Sequence, residues 1–208
     1  MKLCIISDTH LKHKFLKLPD ADLIIHCGDG TSMGKEHEVH DFFKWYASLG
    51  QYKYKIFIAG NHDFLFERNR SLALSHKSAN IIYLEDSGVE IEGIKFWGTP
   101  VQKIFYNWAF NRAEDVLEKY WQIIPNDTDV LITHSPPFMI GDYVWRSGNQ
   151  GSPSLRKEVL ERIKPKIHCF GHIHEGYGIN KIDDTIFINA SNLDENYNCI
   201  NDPILIEI

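Results

Sequence analysis

The chain has 208 residues, 43% of them hydrophobic, with a formal net charge of −6 and a pI near 6.0. That length suits one domain with a sizeable core, expected over residues 1–208. The acidic balance argues against a protein that coats DNA or RNA, which carries a basic stripe.

No apolar run is long enough for a membrane span. Residues 1–7 lack the long apolar stretch and cleavage site of a signal peptide and read as a first strand. Apolar runs predict strands at 2–6, 22–27, 54–59, 80–84, 89–92, 94–98, 129–133, 167–170, 185–189 and 203–207. Between them, Val39, Phe42, Phe43, Tyr46 and Leu49 recur at helical spacing, and Gly50 is a stop. A weaker helical pattern covers 64–77. Asn111 and Glu114 resemble a capping box for a helix over 112–122. Ser152 and Pro153 offer an N-cap and first-turn proline for a helix that Pro165 ends. Ile24-Ile25, Ile56-Phe57-Ile58 and Val130-Leu131-Ile132 are continuous apolar runs, as in strands buried on both faces. A layered α/β fold with mixed sheets is expected. Cys4, Cys27, Cys169 and Cys199 form no Cys-x-x-Cys pair, which suits a reducing, cytoplasmic setting.

Polar clusters follow most of these strands: Asp8-Thr9-His10, Gly28-Asp29, Gly60-Asn61-His62-Asp63, Thr133-His134 and Gly171-His172-Ile173-His174. Open α/β sheets bind ligands beyond the carboxyl ends of their strands. Carboxylates, imidazoles and amide oxygens gathered there are ligands for divalent metals. Within Asp8-Thr9-His10 and His172-Ile173-His174 the ligands are two apart, so an extended backbone points both the same way. His13, His26, His37, His40, His76 and His168 read as structural or surface residues.

At these positions the chain resembles the calcineurin-like metallophosphoesterase superfamily. Its pattern is Asp-x-His, Gly-Asp, Gly-Asn-His-Asp/Glu, His, then Gly-His-x-His. Residues 132–137 and 170–178, with Ile188-Asn189-Ala190-Ser191 and Pro203-Ile204, narrow it to the small metallophosphodiesterase-domain (MPPED) family. Ser135 stands where that family often has glycine. The resemblance implies a four-layer α-β-β-α sandwich of two mixed β-sheets flanked by helices. It also implies two metals. One takes Asp8, His10, Asp29 and His174; the other takes Asp29, Asn61, His134 and His172. Mn2+ is expected by analogy, with Fe, Zn2+, Co2+ or Ni2+ compatible with the donor set.

The implied activity is phosphoesterase, and by analogy a phosphodiesterase on small or cyclic-nucleotide diesters, with a metal-bridging hydroxide attacking phosphorus. A nuclease, a phosphomonoesterase and a silent scaffold are the alternatives. His62 is the candidate proton donor. Asp63 is expected either to orient its imidazole or to cap the helix that follows. Phe105, Tyr106, Trp108 and Phe110 stack a base or, the preferred reading, pack in the core. Residues 139–152 are long for a connection and form a candidate lid. Arg146 within them is a candidate phosphate contact, and Asn189 and Asn192 are candidates to reach the site. The expected partner is a small phosphoester, with no membrane and no marked nucleic-acid binding.

Overall fold

The computed structural model describes residues 1–208. Two sheets face each other. The first runs in the order Ile204–Glu207, Lys2–Ile6, Leu23–His26, Tyr54–Phe57 and Ile82–Tyr83. Its last four strands are parallel and Ile204–Glu207 is antiparallel. The second runs in the order Gly178–Ile182, Thr185–Asn189, Ile167–Phe170, Val130–Thr133, Ile94–Thr99 and Ser87–Ile91. Its four inner strands are parallel and its two edges antiparallel.

The strand period of two explains the layering. Leu3, Ile5, Leu23, Ile25 and Ile56 point inward and meet Phe96, Val130, Ile132, Cys169 and Ile188 of the second sheet. Their neighbours Cys4, Ile6, Ile24 and Phe57 point outward against Val39, Phe42, Phe43 and Tyr46 of the helix Glu36–Ser48. On the other side Leu131, Phe170 and Phe187 pack against Leu117 and Trp121 of Glu114–Gln122. Leu155 of Pro153–Glu158 joins them, with Val159 and Ile163 of the π turn that continues that helix. The result is a four-layer α-β-β-α sandwich.

Local signals misled at three places. The Asn111/Glu114 capping box does not form. Asn111 instead bonds Gln102, Phe105 and Tyr106, while Glu114 accepts from Ser152 and Ser154. The helix begins after Ala113, without a side-chain cap. The pattern over 64–77 splits into Phe64–Arg68 and Arg70–Ser75 at a non-helical Asn69, whose side chain accepts from the Leu72 amide at 3.2 Å. The strand expected at 80–84 shortens to Ile82–Tyr83. The edge strand Gly178–Ile182 and the short ladders Gln102–Lys103/Asn111–Arg112 and Tyr143–Val144/Gly148–Asn149 have no apolar run to announce them. Ser152 does cap its helix, accepting from the Leu155 amide at 3.1 Å.

His168 is fully buried and bonds Thr133 Oγ1 at 2.9 Å. Burial pushes its imidazole down from 6.5 to about 3. The unfolded chain therefore binds a proton that the folded chain refuses, and stability falls as pH drops from 6.5 toward 3. This one residue should remove about 2 kcal/mol by about pH 5. Urea unfolding at neutral pH and near pH 5 should show a smaller acid loss in His168→Gln than in the wild type. Equal losses would assign the acid sensitivity elsewhere.

Candidate metal centre

The polar clusters converge where the carboxyl ends of both sheets meet. Asp8, Asp29 and Asn61 follow strands of the first sheet; His134, His172 and His174 follow strands of the second. Backbone bonds zip the first two loops together: Asp8 N to Gly28 O and His10 N to Asp29 O, both 3.0 Å. The Gly171 amide donates to His134 O at 2.9 Å across the second pair.

The ligand pairs are not held by extended backbone, as their spacing suggested. Asp8, His10, Asp29 and His172 have φ of 53°, 39°, 57° and 68°. Left-handed backbone at non-glycine residues costs about 1 kcal/mol or more each and persists where surrounding structure enforces it. Here the zipped loops enforce it, and the turns aim His10, Asp29 and His172 into one cavity of about 220 Å³, with Asp8 buried behind it.

Two carboxylates lie at its floor. Asp29 Oδ2 stands 3.7 Å from His10 Nε2 and 3.5 Å from His134 Nε2, and its Oδ1 accepts from the His62 amide at 2.7 Å. Asp8 Oδ1 stands 3.7 Å from His174 Nε2, and its Oδ2 accepts from Ser191 Oγ and the His172 amide at 2.8 and 2.9 Å. Three groups could each grip an ion: Asp8/His10/His174, Asp8/Asp29/His134 and His10/Asp29/His62. Asn61 and the His172 ring line the same cavity.

The donor set fits cations on two observations. Asp8 Oδ1 and both His10 nitrogens are buried without a hydrogen-bond partner. His134 Nδ1 lies 2.9 Å from Cys27 O and His174 Nδ1 lies 2.8 Å from Asp194 O, which assigns a proton to each Nδ1 and turns Nε2 to the carboxylates. His134 Nε2 also lies 2.9 Å from Asn61 Oδ1, a contact that a metal held between the two would satisfy. Burial depresses both imidazoles, but Asp29 for His134 and Asp8 for His174 outweigh it and lift each to about 9. Burial raises the two carboxyls, but the surrounding imidazoles outweigh it and hold both well below the usual range. With no such excess of partners, burial takes His10 down to about 4 and His172 to about 3. The centre is built to receive positive charge.

His62 stands on the wall. Its Nδ1 is 2.6 Å from Ser32 O, and its ring stacks on Trp108 at 4.0 Å and meets His10 at 4.6 Å. Asp63 takes neither expected role. Its carboxylate neither contacts the His62 ring nor caps the following helix. It accepts from the amides of Asp29, Thr31 and Gly60 at 2.8–3.0 Å and from Thr31 Oγ1 at 2.7 Å. It thus ties the Asp29 loop to the Asn61 loop and acts as a positioning residue.

Phe105 and Tyr106 are not core: they are exposed, at 47% and 78%, and line a neighbouring cavity. Phe110 is buried, as the preferred reading had it. Asn189 and Asn192 do not reach the cavity wall. Asn189 holds Gly141 O and Ile173 O; Asn192 holds the Ser7 amide. The segment 139–152 folds back as a hairpin, and Val144, Ser147 and Gln150 line the second cavity beside His172. Arg146 is exposed and outside both linings. Tyr197, Glu195 and Glu175 also line the metal cavity, and Tyr197 packs edge-on against His10 at 4.9 Å. Trp108, a candidate for base stacking, instead stacks on His62, and no local sequence signal marked Ser32 or Tyr197 as neighbours of this centre.

Gly171 is a close approach. A Cβ there would stand 2.0 Å from Asp8 Oδ2 and 2.1 Å from Ser7 Oγ. Gly171→Ala should cost about 1–3 kcal/mol through overpacking. It should also lower metal content, read by denaturant unfolding and elemental analysis. Full metal loading at wild-type stability would refute this packing argument.

Carboxylates and imidazoles massed at strand ends between two sheets make a candidate metal centre. A family model for calcineurin-like phosphoesterases matches residues 1–176. The chain belongs to that family and is a metal-dependent phosphoric ester hydrolase by class. It is 38% identical over 228 residues to human metallophosphoesterase domain-containing protein 1, covering 98% of this chain and 69% of the relative. A 3',5'-cyclic-nucleotide phosphodiesterase of Nostoc sp. is 23% identical over 160 residues, covering 76% of this chain and 58% of its own. A crystal structure with 16% sequence identity superposes with a TM-score of 0.67, covering 99% of this chain and 98% of its own, and so shares the fold. No helix is long and apolar enough to cross a membrane.

Proposed function

We propose that the chain is a phosphodiesterase for small, singly charged phosphodiesters, cyclic nucleotides foremost, working with two divalent ions, Mn2+ first among them. Asp8, His10, Asp29 and His174 would hold one ion, and Asn61, His134, His172 and the shared Asp29 the other. The observation that carries the reading is His62 on the wall of the cavity lined by His10, Asp29, Asn61, His172 and His174, with its ring already fixed. Bound there, the ions supply charge for phosphoryl oxygens and lower the pKa of a water toward neutrality.

The chain's own residues do the rest. Ser32 O engages Nδ1 of His62, so Nε2 is the atom left to face the substrate. As the imidazolium, His62 gives that proton to the leaving alkoxide. Trp108 stops the ring from turning. Asp63 fixes the two loops that carry Asp29 and Asn61.

The walls favour a small diester. No lysine or arginine lines the metal cavity, and Glu175 and Glu195 stand on it. The adjoining cavity, about 390 Å³, is bounded by Ile104, Phe105, Tyr106, Val144 and Ile173, with Lys103 its single cation. A flat apolar group on a monoanionic phosphate suits it. A polyanion meets carboxylates instead of a basic track. The similarity to a cyclic-nucleotide phosphodiesterase points the same way. The four cysteines are all free, which supports a reducing, cytoplasmic setting.

The test compares bis(p-nitrophenyl) phosphate, 3',5'-cyclic AMP and p-nitrophenyl phosphate with added Mn2+. Metal-dependent turnover with kcat/KM favouring the diesters is expected. A preference for the monoester would sink the diester reading, and no metal-dependent turnover of any of them would sink the enzyme reading.

A further inference from the structure

Of the chain's 11 histidines, five line or floor the strand-end centre: His10, His62, His134, His172 and His174. His13, His26 and His168 are packed inside. The remaining three, His37, His40 and His76, gather in one surface hollow whose only other lining residue is Glu36. We propose that Glu36, His37, His40 and His76 form a separate surface site for a zinc-class divalent ion.

The placement follows from helix geometry. Glu36 and His40 are one turn apart on the helix Glu36–Ser48, and His37 and His40 are neighbours at the i, i+3 spacing. His76 caps the end of Arg70–Ser75 and comes to them from across the groove. Its Nε2 already lies 3.2 Å from Glu36 Oε1. The His40 ring meets the His76 ring edge-on, with centroids 5.4 Å apart. His40 is exposed, so a side-chain rotation brings its nitrogen to the same point. Imidazoles with one carboxylate select borderline ions such as Zn2+, Ni2+ or Cu2+ over Mg2+ or Ca2+. No lysine or arginine lines the hollow to compete. The carboxylate of Glu38 is not a donor here, because it accepts from the Met33 and Lys35 amides.

An ion at this site would fasten the helix that follows the Ser32 segment to the helix pair that follows His62. Ser32 O engages the His62 ring, so the tie spans the two segments that position that ring.

The test uses the untagged, Mn2+-loaded protein and Zn2+ as the probe, with bound zinc read by equilibrium dialysis and elemental analysis. Exchange at the strand-end centre is common to all variants, so the difference between them isolates the surface site. Wild type should bind one zinc equivalent more than His40→Ala/His76→Ala, and should be retained on an immobilised Ni2+ surface from which the double variant elutes. His40→Gln/His76→Gln, which keeps side-chain size, should behave like the alanine pair. Equal zinc uptake in wild type and both variants, or equal elution from nickel, would overturn the proposal.

Discussion

Asp29→Asn is expected to reduce metal-dependent turnover by about three orders of magnitude or more, since losing several kcal/mol of Lewis-acid stabilisation costs tenfold per about 1.4 kcal/mol. The substitution keeps size and shape, so the Oδ1 that accepts from the His62 amide can remain. What it removes is the negative charge between His10 and His134, which stand 3.7 and 3.5 Å from Oδ2. A carboxylate in that position would serve two ions at once, and Asp29 is the one acidic side chain whose oxygen lies within 4 Å of the ring nitrogens of both His10 and His134. Elemental analysis should find metal stoichiometry reduced together with turnover. Turnover within about tenfold of wild type, with two metals still bound, would show that Asp29 is not the shared ligand.

His62→Gln is the second large effect, and its signature differs. Metal content should stay at the wild-type level, although His62 falls in one of the three groups that could grip an ion, because Ser32 and Trp108 hold its ring; a loss of metal together with turnover would make His62 a ligand instead. Turnover of cyclic AMP should fall about 100- to 10,000-fold, the span of a lost general acid. Bis(p-nitrophenyl) phosphate should lose far less, because nitrophenolate leaves without a proton. Equal losses on both substrates would indicate that His62 works through geometry or metal retention rather than proton transfer. Trp108→Ala offers a milder companion: it frees the ring without removing it, and should fall between wild type and His62→Gln on the same two substrates.

The ligand clusters were legible because each is contiguous and each closes a strand. Short apolar runs such as Ile24-Ile25 and Val130-Leu131-Ile132 fix where the polar residue after them must emerge. What escaped depends on partners far away in sequence. Asp63 next to His62 invites pairing with it or a helix cap, but its oxygens are claimed by amides more than thirty residues earlier. Asn111 and Glu114 have the spacing of a cap, and tertiary bonds to Gln102 and Ser154 outbid it. Phe105 and Tyr106 look like core by composition, and only the geometry of the loop reveals that they are exposed and line a cavity beside His172. The left-handed turns at Asp8, His10, Asp29 and His172 had no glycine at the position itself to signal them.

The origin of the ligands in both sheets has a consequence for how the protein comes apart. Asp8, His10, Asp29 and Asn61 belong to one half of the sandwich and His134, His172 and His174 to the other. Metals held by all seven would rivet the seam at the end where loops, not interlocking strands, close it. Chelation should then raise the rate at which the halves part, beyond its effect on equilibrium stability. Cleavage by a protease should move to the loops around residues 29 and 172 before either sheet melts. For this fold the cofactor is also a fastener, and storage in chelating buffers would shorten the life of the protein as well as its activity.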